Sequence, residues 1–203
     1  MGIEVPYLEY EATESKAEKF LSEYHPEGFI PVPIEEIVEF KFGLDIVPIP
    51  SLQNQLDIDG CSAFHVSTIY VDQYVLENVQ NRYRFTLAHE VAHFILHEEV
   101  LKGCEAKSSE KVLEFIRSIP EGIHTRMEIQ ANNFAGLVLV PTDHLELAIF
   151  EAISMVPENL KSRKYSSEIL EYISAYIGRK FQVSDQVIKK RIEYEPHLKK
   201  LFE

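Results

Sequence analysis

The sequence predicts an α+β fold that is mostly helical, with a small three-stranded sheet beside one buried helix and further helices towards the C-terminus. Apolar residues recur with helical spacing along most of the 203 residues, which is typical of amphipathic helices. Segments rich in β-branched and aromatic residues are short and confined to residues 44–71, which favours a small sheet. A chain of this length can bury a sizeable core as one domain, or as one domain with a small appendage.

The N-terminal third of the chain supplies two predicted helices and all the predicted strands. Residues 12–24 form a polar helix with apolar side chains along one side, and residues 34–42 form a short helix that Gly43 ends. The first strand contains Pro48, and proline suits the edge of a sheet. The three strand segments are residues 44–50, 61–66 and 68–71.

Residues 84–97 form a buried helix that carries the clearest chemical motif. His89, Glu90 and His93 have the spacing H-E-x-x-H, and histidines four residues apart on a helix share a face and can hold one metal ion. The remaining side chains are mostly apolar, and buried titratable groups are costly unless they are paired or bound to metal. Zn²⁺ suits this pair, and Glu90 stands where it can take a proton from a metal-bound water.

A third ligand is predicted from the helix that covers residues 124–141. Glu128 and Asn132 share one stripe of this helix with two alanines, and small side chains allow another helix to approach closely. We therefore expect Glu128 to reach the metal and Asn132 to accept the free ring N–H of a ligand histidine. Four other residues are alternatives for the third ligand: Glu110, Glu114, Glu121 and His124. Glu110 and Glu114 have the pattern of a solvated helix face, and Glu121 lies in a turn. Such a site also suits Mn²⁺.

His97 is not predicted to be a ligand. It lies one further helical turn beyond His93, which is about 6 Å at the usual rise per residue, and this is too far to share the ion. The sequence predicts instead that His97 ends the helix, where a protonated ring would interact favourably with the helix dipole.

Net charge and cysteine content limit the function classes. The net charge of -13 argues against a surface that binds nucleic acid as a whole. The two cysteines form no framework, which favours a reducing compartment. The N-terminus contains no signal-peptide pattern and no stretch is long enough to span a bilayer. These observations predict a cytoplasmic protein that does not associate with membranes.

The C-terminal region differs from the rest of the chain in charge. Residues 161–191 contain eight bases and three acids, and we expect two helices there, with Ser184 as an N-cap between them. We divide the chain into a catalytic domain at residues 1–160 and a helical appendage packed on it at residues 161–203. The appendage is either a helix-turn-helix that contacts DNA or a packing pair with solvated charges, and we favour the packing pair.

Four segments together resemble the ImmA/IrrE family of metallopeptidases, in the order in which that family carries them. They are residues 31–37, 68–71, 84–97 and 128–141. The chain departs from the family pattern at Ala92 and Ala63, where glycine is common, and we find no fused N-terminal repressor-like domain. The resemblance implies a zincin-like fold, with His89, His93 and Glu128 as zinc ligands and Glu90 as general base.

The resemblance also implies a bacterial or phage regulator whose substrate is a protein. Members of the family cleave a helix-turn-helix repressor, often encoded next door, and so activate a mobile element or a stress response. Small zinc peptidases place a sheet edge beside the metal, where an extended substrate adds as a strand. Residues 60–66 are the candidate for that edge, with an ordinary core strand as the alternative; the candidate substrate contacts are Cys61, Ser62, Ala63, Phe64 and His65.

The sequence thus predicts a zinc-dependent endopeptidase of limited specificity that cleaves a DNA-binding repressor or an antitoxin. One alternative is a metallopeptidase-like module that binds such a partner without cutting it. Another is a metal-responsive DNA-binding regulator, which rests only on the basic C-terminal region. An oxyanion partner is expected, and four residues are candidates: Tyr83, His65, His124 and His144.

Overall fold

The computed structural model describes residues 5–102, 109–156 and 167–202, and in these ranges helices surround a small mixed sheet. The predicted α+β, mostly helical fold is confirmed. The helices are α1 (Tyr10–Tyr24), α2 (Ile34–Glu36, continued by a π-helical turn, Ile37–Phe42), α3 (Leu52–Leu56), α4 (Gln73–Asn78), α5 (Gln80–Leu96), α6 (Glu98–Leu101), α7 (Ser109–Ser118), α8 (Glu121–Leu139), α9 (Thr142–Ser154), α10 (Ser167–Phe181), α11 (Asp185–Tyr194) and α12 (Pro196–Lys199).

The sheet has the order β1-β3-β2, so that β3 lies in the middle. The strands are β1 (Asp45–Ile49), β2 (Gly60–Ala63) and β3 (Thr68–Asp72). β1 is parallel to β3, and β2 is antiparallel to it. β1 lies at an edge of the sheet, and no further strand there needs a backbone N–H from Pro48 as a hydrogen-bond donor. β2 forms the opposite edge and packs against α5.

The second strand is shorter than the sequence predicted. It ends at Ala63, and the next residues form a 3₁₀ turn, Phe64–Val66. The register explains the difference, because Ala63 is paired with Thr68 and the chain must reverse within the residues between them. Ser67 closes this connection with a positive φ of 50°. The prediction that Phe64 and His65 belong to the edge strand is therefore wrong.

Two long helices, α5 and α8, pack along each other and form the centre of the core. Alanines face each other at this contact and are fully buried, which lets the two helix axes approach closely. They are Ala88 and Ala92 on α5, and Ala131 and Ala135 on α8. The predicted small-residue stripe therefore lies at the contact between the two helices.

The C-terminal helices contribute to the same hydrophobic core as α5 and α8. Ile173 and Ile177 of α10 and Ile188 of α11 are completely buried in it. The proposed division falls at residue 160, among residues outside the described ranges, so the two-domain description stays a prediction.

The described bases of this region are mostly paired with acids. The shortest contacts of the lysines are Lys180 to Glu151, Lys189 to Glu171 and Lys190 to Glu193, at 2.5, 2.6 and 2.7 Å. Lys161, Arg163 and Lys164 lie outside the described ranges. Pairing of this kind is expected of helices whose charges stabilise local packing, and it leaves few described bases free to contact a phosphate backbone.

Among the described bases of this region, Arg191 is the one that is buried. Its guanidinium donates to the carboxylate of Glu195 at 2.8 Å, to Oγ1 of Thr142 at 2.8 Å, to the backbone oxygen of Val140 at 3.1 Å and to the hydroxyl of Tyr10. Tyr10 belongs to α1, Val140 and Thr142 lie where α8 ends and α9 begins, and Glu195 lies between α11 and α12, so the guanidinium joins three separate regions of the chain.

Replacing Arg191 by methionine is expected to lower the free energy of unfolding by about 3–5 kcal/mol, because Glu195 would keep a buried charge without its partner. Replacing the neighbouring Lys190, whose ion pair is exposed, is expected to change the free energy of unfolding far less. Denaturant titration of both variants measures the difference. Equal stability of Arg191→Met and Lys190→Met would contradict this account of the network.

Candidate metal centre

Three donor groups from two helices converge on one point. α5 supplies His89 and His93, and α8 supplies Glu128, the three residues that could hold a metal ion among those described. The two Nε2 atoms lie 3.1 Å apart. Oε2 of Glu128 lies 3.3 Å from Nε2 of His89, and Oε1 lies 3.4 Å from Nε2 of His93. The three donor groups thus form a triangle, in which each histidine faces a different oxygen of Glu128.

This triangle fits a zinc ion. Zinc bonds nitrogen and oxygen at about 2.0–2.2 Å, so two ligands of a tetrahedral ion are about 3.3–3.5 Å apart. The observed separations of 3.1, 3.3 and 3.4 Å are close to this spacing. Two unprotonated imidazole nitrogens cannot face each other at 3.1 Å without a shared cation or proton, because each presents a lone pair. A divalent ion would provide that cation.

The opposite ring nitrogens of both histidines have hydrogen-bond partners. Nδ1 of His89 lies 3.0 Å from Oδ1 of Asn132, which can only accept, so His89 donates there. Its Nε2 therefore keeps a free lone pair directed at the triangle. Orientation by such a partner raises the affinity of a histidine for metal. The structure thus gives Asn132 the contact expected from the sequence.

The other histidine is held by a longer chain of hydrogen bonds. Nδ1 of His93 lies 3.0 Å from Nδ1 of His97, and Nε2 of His97 lies 2.9 Å from Oε1 of Gln130. Gln130 in turn donates to the backbone oxygen of Pro6 at 2.9 Å, which fixes the orientation of its amide. His97 must then donate to Gln130 and accept from His93, so Nε2 of His93 also directs its lone pair to the triangle.

His97 differs from the sequence prediction in its environment. It does end α5, but it is only 1% exposed. Burial and the neighbouring His93 lower the pKa of His97 to about 4, so the ring is neutral at pH 7 and does not interact with the helix dipole as a cation. The repeated four-residue spacing of three histidines was a sequence signal for this contact. Gln130 had no comparable signal.

The electrostatics of the cluster favour a bound cation. Burial opposes the charged form of Glu128, but hydrogen bonds with His89 and His93 outweigh it and hold the pKa of Glu128 well below its ordinary value. Burial also opposes the charged form of His89, yet the contact with Glu128 and the charge of Glu90 raise its pKa. Anionic carboxylates therefore dominate the field at the triangle.

Glu90 lies beside the triangle and is held by β2. It is 5% exposed and borders the same pocket, which has a volume of about 450 Å³. The hydroxyl of Ser62 lies 2.5 Å from Oε2 of Glu90 and 3.1 Å from its backbone oxygen. Glycine at position 60 allows β2 to lie this close to α5, because a Cβ there would lie 2.7 Å from Cγ2 of Thr86. No pattern in the sequence indicated this contact of Ser62.

The side chains of β2 are divided between two faces. Ser62 faces α5, whereas Cys61 and Ala63 pack with Val112 and Leu113 of α7. Burial, with a smaller effect of Glu90, raises the pKa of the Cys61 thiol and keeps it protonated. The side chains of Cys61 and Ala63 are therefore buried on the face of β2 that packs against α7.

The backbone of β2 has a free side in the described part of the chain. The amide of Asp72 donates to the oxygen of Asp59 at 2.8 Å, which sets the alternation of bonded pairs along the two strands. Gly60 and Ser62 therefore direct their N–H and C=O groups away from β3, and no other described strand lies on that side.

The rival residues occupy different places. Glu114 and Glu121 do not border the metal pocket, and the side chain of Glu110 lies outside the described residues. Of the four oxyanion candidates, only His124 borders the pocket, with Nε2 at 3.6 Å from Oε1 of Glu128. The hydroxyl of Tyr83 donates to Glu35 at 2.8 Å, His144 bonds the oxygen of Gly28, and His65 is exposed on the 3₁₀ turn.

Two ligand-type histidines on one helix, a glutamate from a second helix and an edge strand beside them define a metallopeptidase-like protein. The sequence matches the peptidase family described as IrrE N-terminal-like domain over residues 43–193, about three quarters of the chain. The chain belongs to this family, which confirms the resemblance to ImmA/IrrE proteins found in the sequence. No curated protein is significantly similar to the chain in sequence.

One similar solved structure is a Mycobacterium tuberculosis transcriptional regulator, with a TM-score of 0.56 and 15% sequence identity. The similarity covers 90% of this chain and 46% of that chain, so the protein spans about half the length of the regulator. At this identity the comparison supports the fold alone. Among the described residues, no helix is long and apolar enough to cross a membrane.

Replacing His97 by leucine is expected to weaken zinc binding by about 10–100-fold, because the ring N–H of His93 would lose its acceptor. Competition with a chromogenic chelator measures the affinity. His144→Leu is the matched control, since His144 bonds a backbone oxygen remote from the triangle. Unchanged affinity in His97→Leu would show that the hydrogen-bond chain does not orient His93.

Proposed function

We propose that the protein is a zinc-dependent endopeptidase of limited specificity that cleaves a DNA-binding repressor or an antitoxin. The observation that carries the proposal is the triangle of His89, His93 and Glu128 with Glu90 beside it. Membership of a peptidase family supports the reaction class. The transcriptional regulator with a similar fold is consistent with a regulatory role, and the DNA-bound substrate implies a cytoplasmic location.

The proposed mechanism assigns the proton transfers to Glu90. His89, His93 and Glu128 would hold a divalent ion, and this ion would supply Lewis acidity at the scissile carbonyl and make the attacking water more acidic. Glu90 accepts a proton from this water and delivers it to the leaving amine. Because Ser62 donates to Oε2, Oε1 of Glu90 remains available for the water. Zn²⁺ is the proposed ion, and Mn²⁺ is compatible with the same donors.

The substrate is proposed to add along the free side of β2. Gly60 and Ser62 offer backbone donors and acceptors there, beside Glu90, and an extended chain pairs with such an edge as a further strand. His124 is proposed to donate a hydrogen bond to the oxygen of the scissile carbonyl, where negative charge develops. Its position in the pocket and its partial exposure leave its ring available to a substrate.

The binding-module alternative differs from this proposal only in the fate of the partner. A module that does not cut its partner has no need of a buried glutamate beside the donor triangle. The metal-responsive DNA-binding alternative receives no support from the paired lysines of α10 and α11.

Glu90→Gln is expected to lower cleavage by at least about 1000-fold while one zinc ion remains bound, because the base is lost and the ligands are kept. Glu128→Ala is expected to lose most of the metal. Each protein is incubated with the helix-turn-helix protein encoded nearest to its gene, and fragments are identified by mass spectrometry. Recovery of an intact, bound partner with zinc-loaded wild type would favour the binding module.

Replacing His124 by phenylalanine is expected to lower kcat by about 100–1000-fold with little change in KM, because the lost donor acts on charge that develops in the transition state. The zinc content should equal that of wild type. His65→Phe, on the exposed 3₁₀ turn, is the control and should retain full activity. An equal kcat in His124→Phe and wild type would assign the oxyanion to another donor.

A further inference from the structure

A second cleft opens beside the metal pocket. It lies between α5, α8 and α11 and has a volume of about 790 Å³. Asp59, Phe85 and Asn132 border both the metal pocket and this cleft. Asp59 directly precedes β2, so a chain that lies along β2 and passes Gly60 enters the cleft.

One wall of the cleft is apolar. Phe85 from α5, Ile129 from α8 and Val187 from α11 contribute to it, together with Val79. Ile129 is 53% exposed. An exposed β-branched side chain that faces two other apolar residues forms a surface on which a large apolar side chain loses contact with water.

The basic residues of the cleft are already paired with acids. Arg82 donates to Asp59, Lys190 to Glu193 and Arg191 to Glu195. Each of these three bases therefore has a carboxylate within hydrogen-bond distance, and the described residues that border the cleft carry no unpaired positive charge. This balance favours an uncharged, apolar segment over an acidic peptide or a nucleic acid.

Asn132 lies at the junction of the cleft and the metal pocket, and its amide has a defined orientation. Its Oδ1 accepts from His89, and its Nδ2 is consequently the free end of the amide. The residue is exposed, and its neighbour Asn133 also borders the cleft. A free amide N–H₂ at the junction of the two cavities is suited to donate to a backbone carbonyl of an extended chain.

We propose that this cleft holds the part of the protein substrate that continues from the scissile bond past Gly60. The segment is extended, and it places one large apolar side chain against Phe85, Ile129 and Val187. Asn132 donates to its backbone. The inference rests on the proposed peptidase function and adds a substrate class to it: a chain with a large apolar residue close to the cleavage point.

Peptide binding to the zinc-loaded Glu90→Gln variant tests the inference without turnover. The probes are a fluorescein-labelled dodecapeptide in which leucine alternates with glutamine, and a matched peptide with serine in place of each leucine. Fluorescence anisotropy is expected to show about tenfold tighter binding of the leucine peptide. Adding Ile129→Asp should reduce its affinity to that of the serine peptide.

Leu147→Asp is the matched control, because Leu147 is 67% exposed on α9 and does not border the cleft. It should leave the preference unchanged within about twofold. Val187→Asp, on α11 of the same apolar wall, provides a second variant in case Ile129→Asp alters the thermal unfolding curve. Equal binding of the two peptides, or a leucine preference that survives both cleft substitutions, would overturn the inference.

The two proposals fail in different ways. The binding assay uses a protein without its general base, so a lack of peptidase activity in wild type would leave a leucine preference intact. Cleavage of the repressor by wild type, combined with equal binding of both peptides, would retain the peptidase and remove the cleft as its substrate site.

Discussion

The close packing of α5 on α8 is the constraint on which the rest of the structure depends. Three donor groups can converge only because alanines at the contact keep the two helices near each other. The carboxylate of Glu128 is short and cannot reach across a wider contact. Larger residues at Ala92 or Ala131 would separate the helices. The size of these buried side chains therefore controls whether the donor groups can converge, although the alanines are not donors themselves.

The polar groups of the centre are connected to the backbone at several points. His89 is held by Asn132, His93 by His97 and Gln130, and Glu90 by Ser62. Buried polar groups are stable when each has a partner, and a connected network of this kind also restricts the rotation of every member. The arrangement orients the donors before an ion binds, so less conformational entropy is lost on binding.

Local patterns in the sequence were sufficient for the longer helices and for the donor cluster, because His89 and His93 lie on one of these helices and Glu128 lies on another. The short helices Leu52–Leu56 and Gln73–Asn78 were not predicted. The roles of these residues as ligands remain a prediction. The end of β2 at Ala63 depends on its register with β3, which no local pattern specifies. Likewise, the charge of Arg191 suggested a solvated surface, whereas its burial depends on Glu195, Thr142 and Tyr10 from three regions of the chain.

The hydrogen bond from Gln130 to the oxygen of Pro6 has a consequence for the first described residues. Val5 is buried and its oxygen accepts from Arg126, so this segment is docked on α8 by two such bonds. Through Gln130 and His97 the docked segment supports His93. Docking and metal binding are therefore thermodynamically linked and must strengthen each other equally. Proteolytic removal of these residues would lower the affinity for the metal ion, and a bound ion would in turn protect the segment from proteolysis.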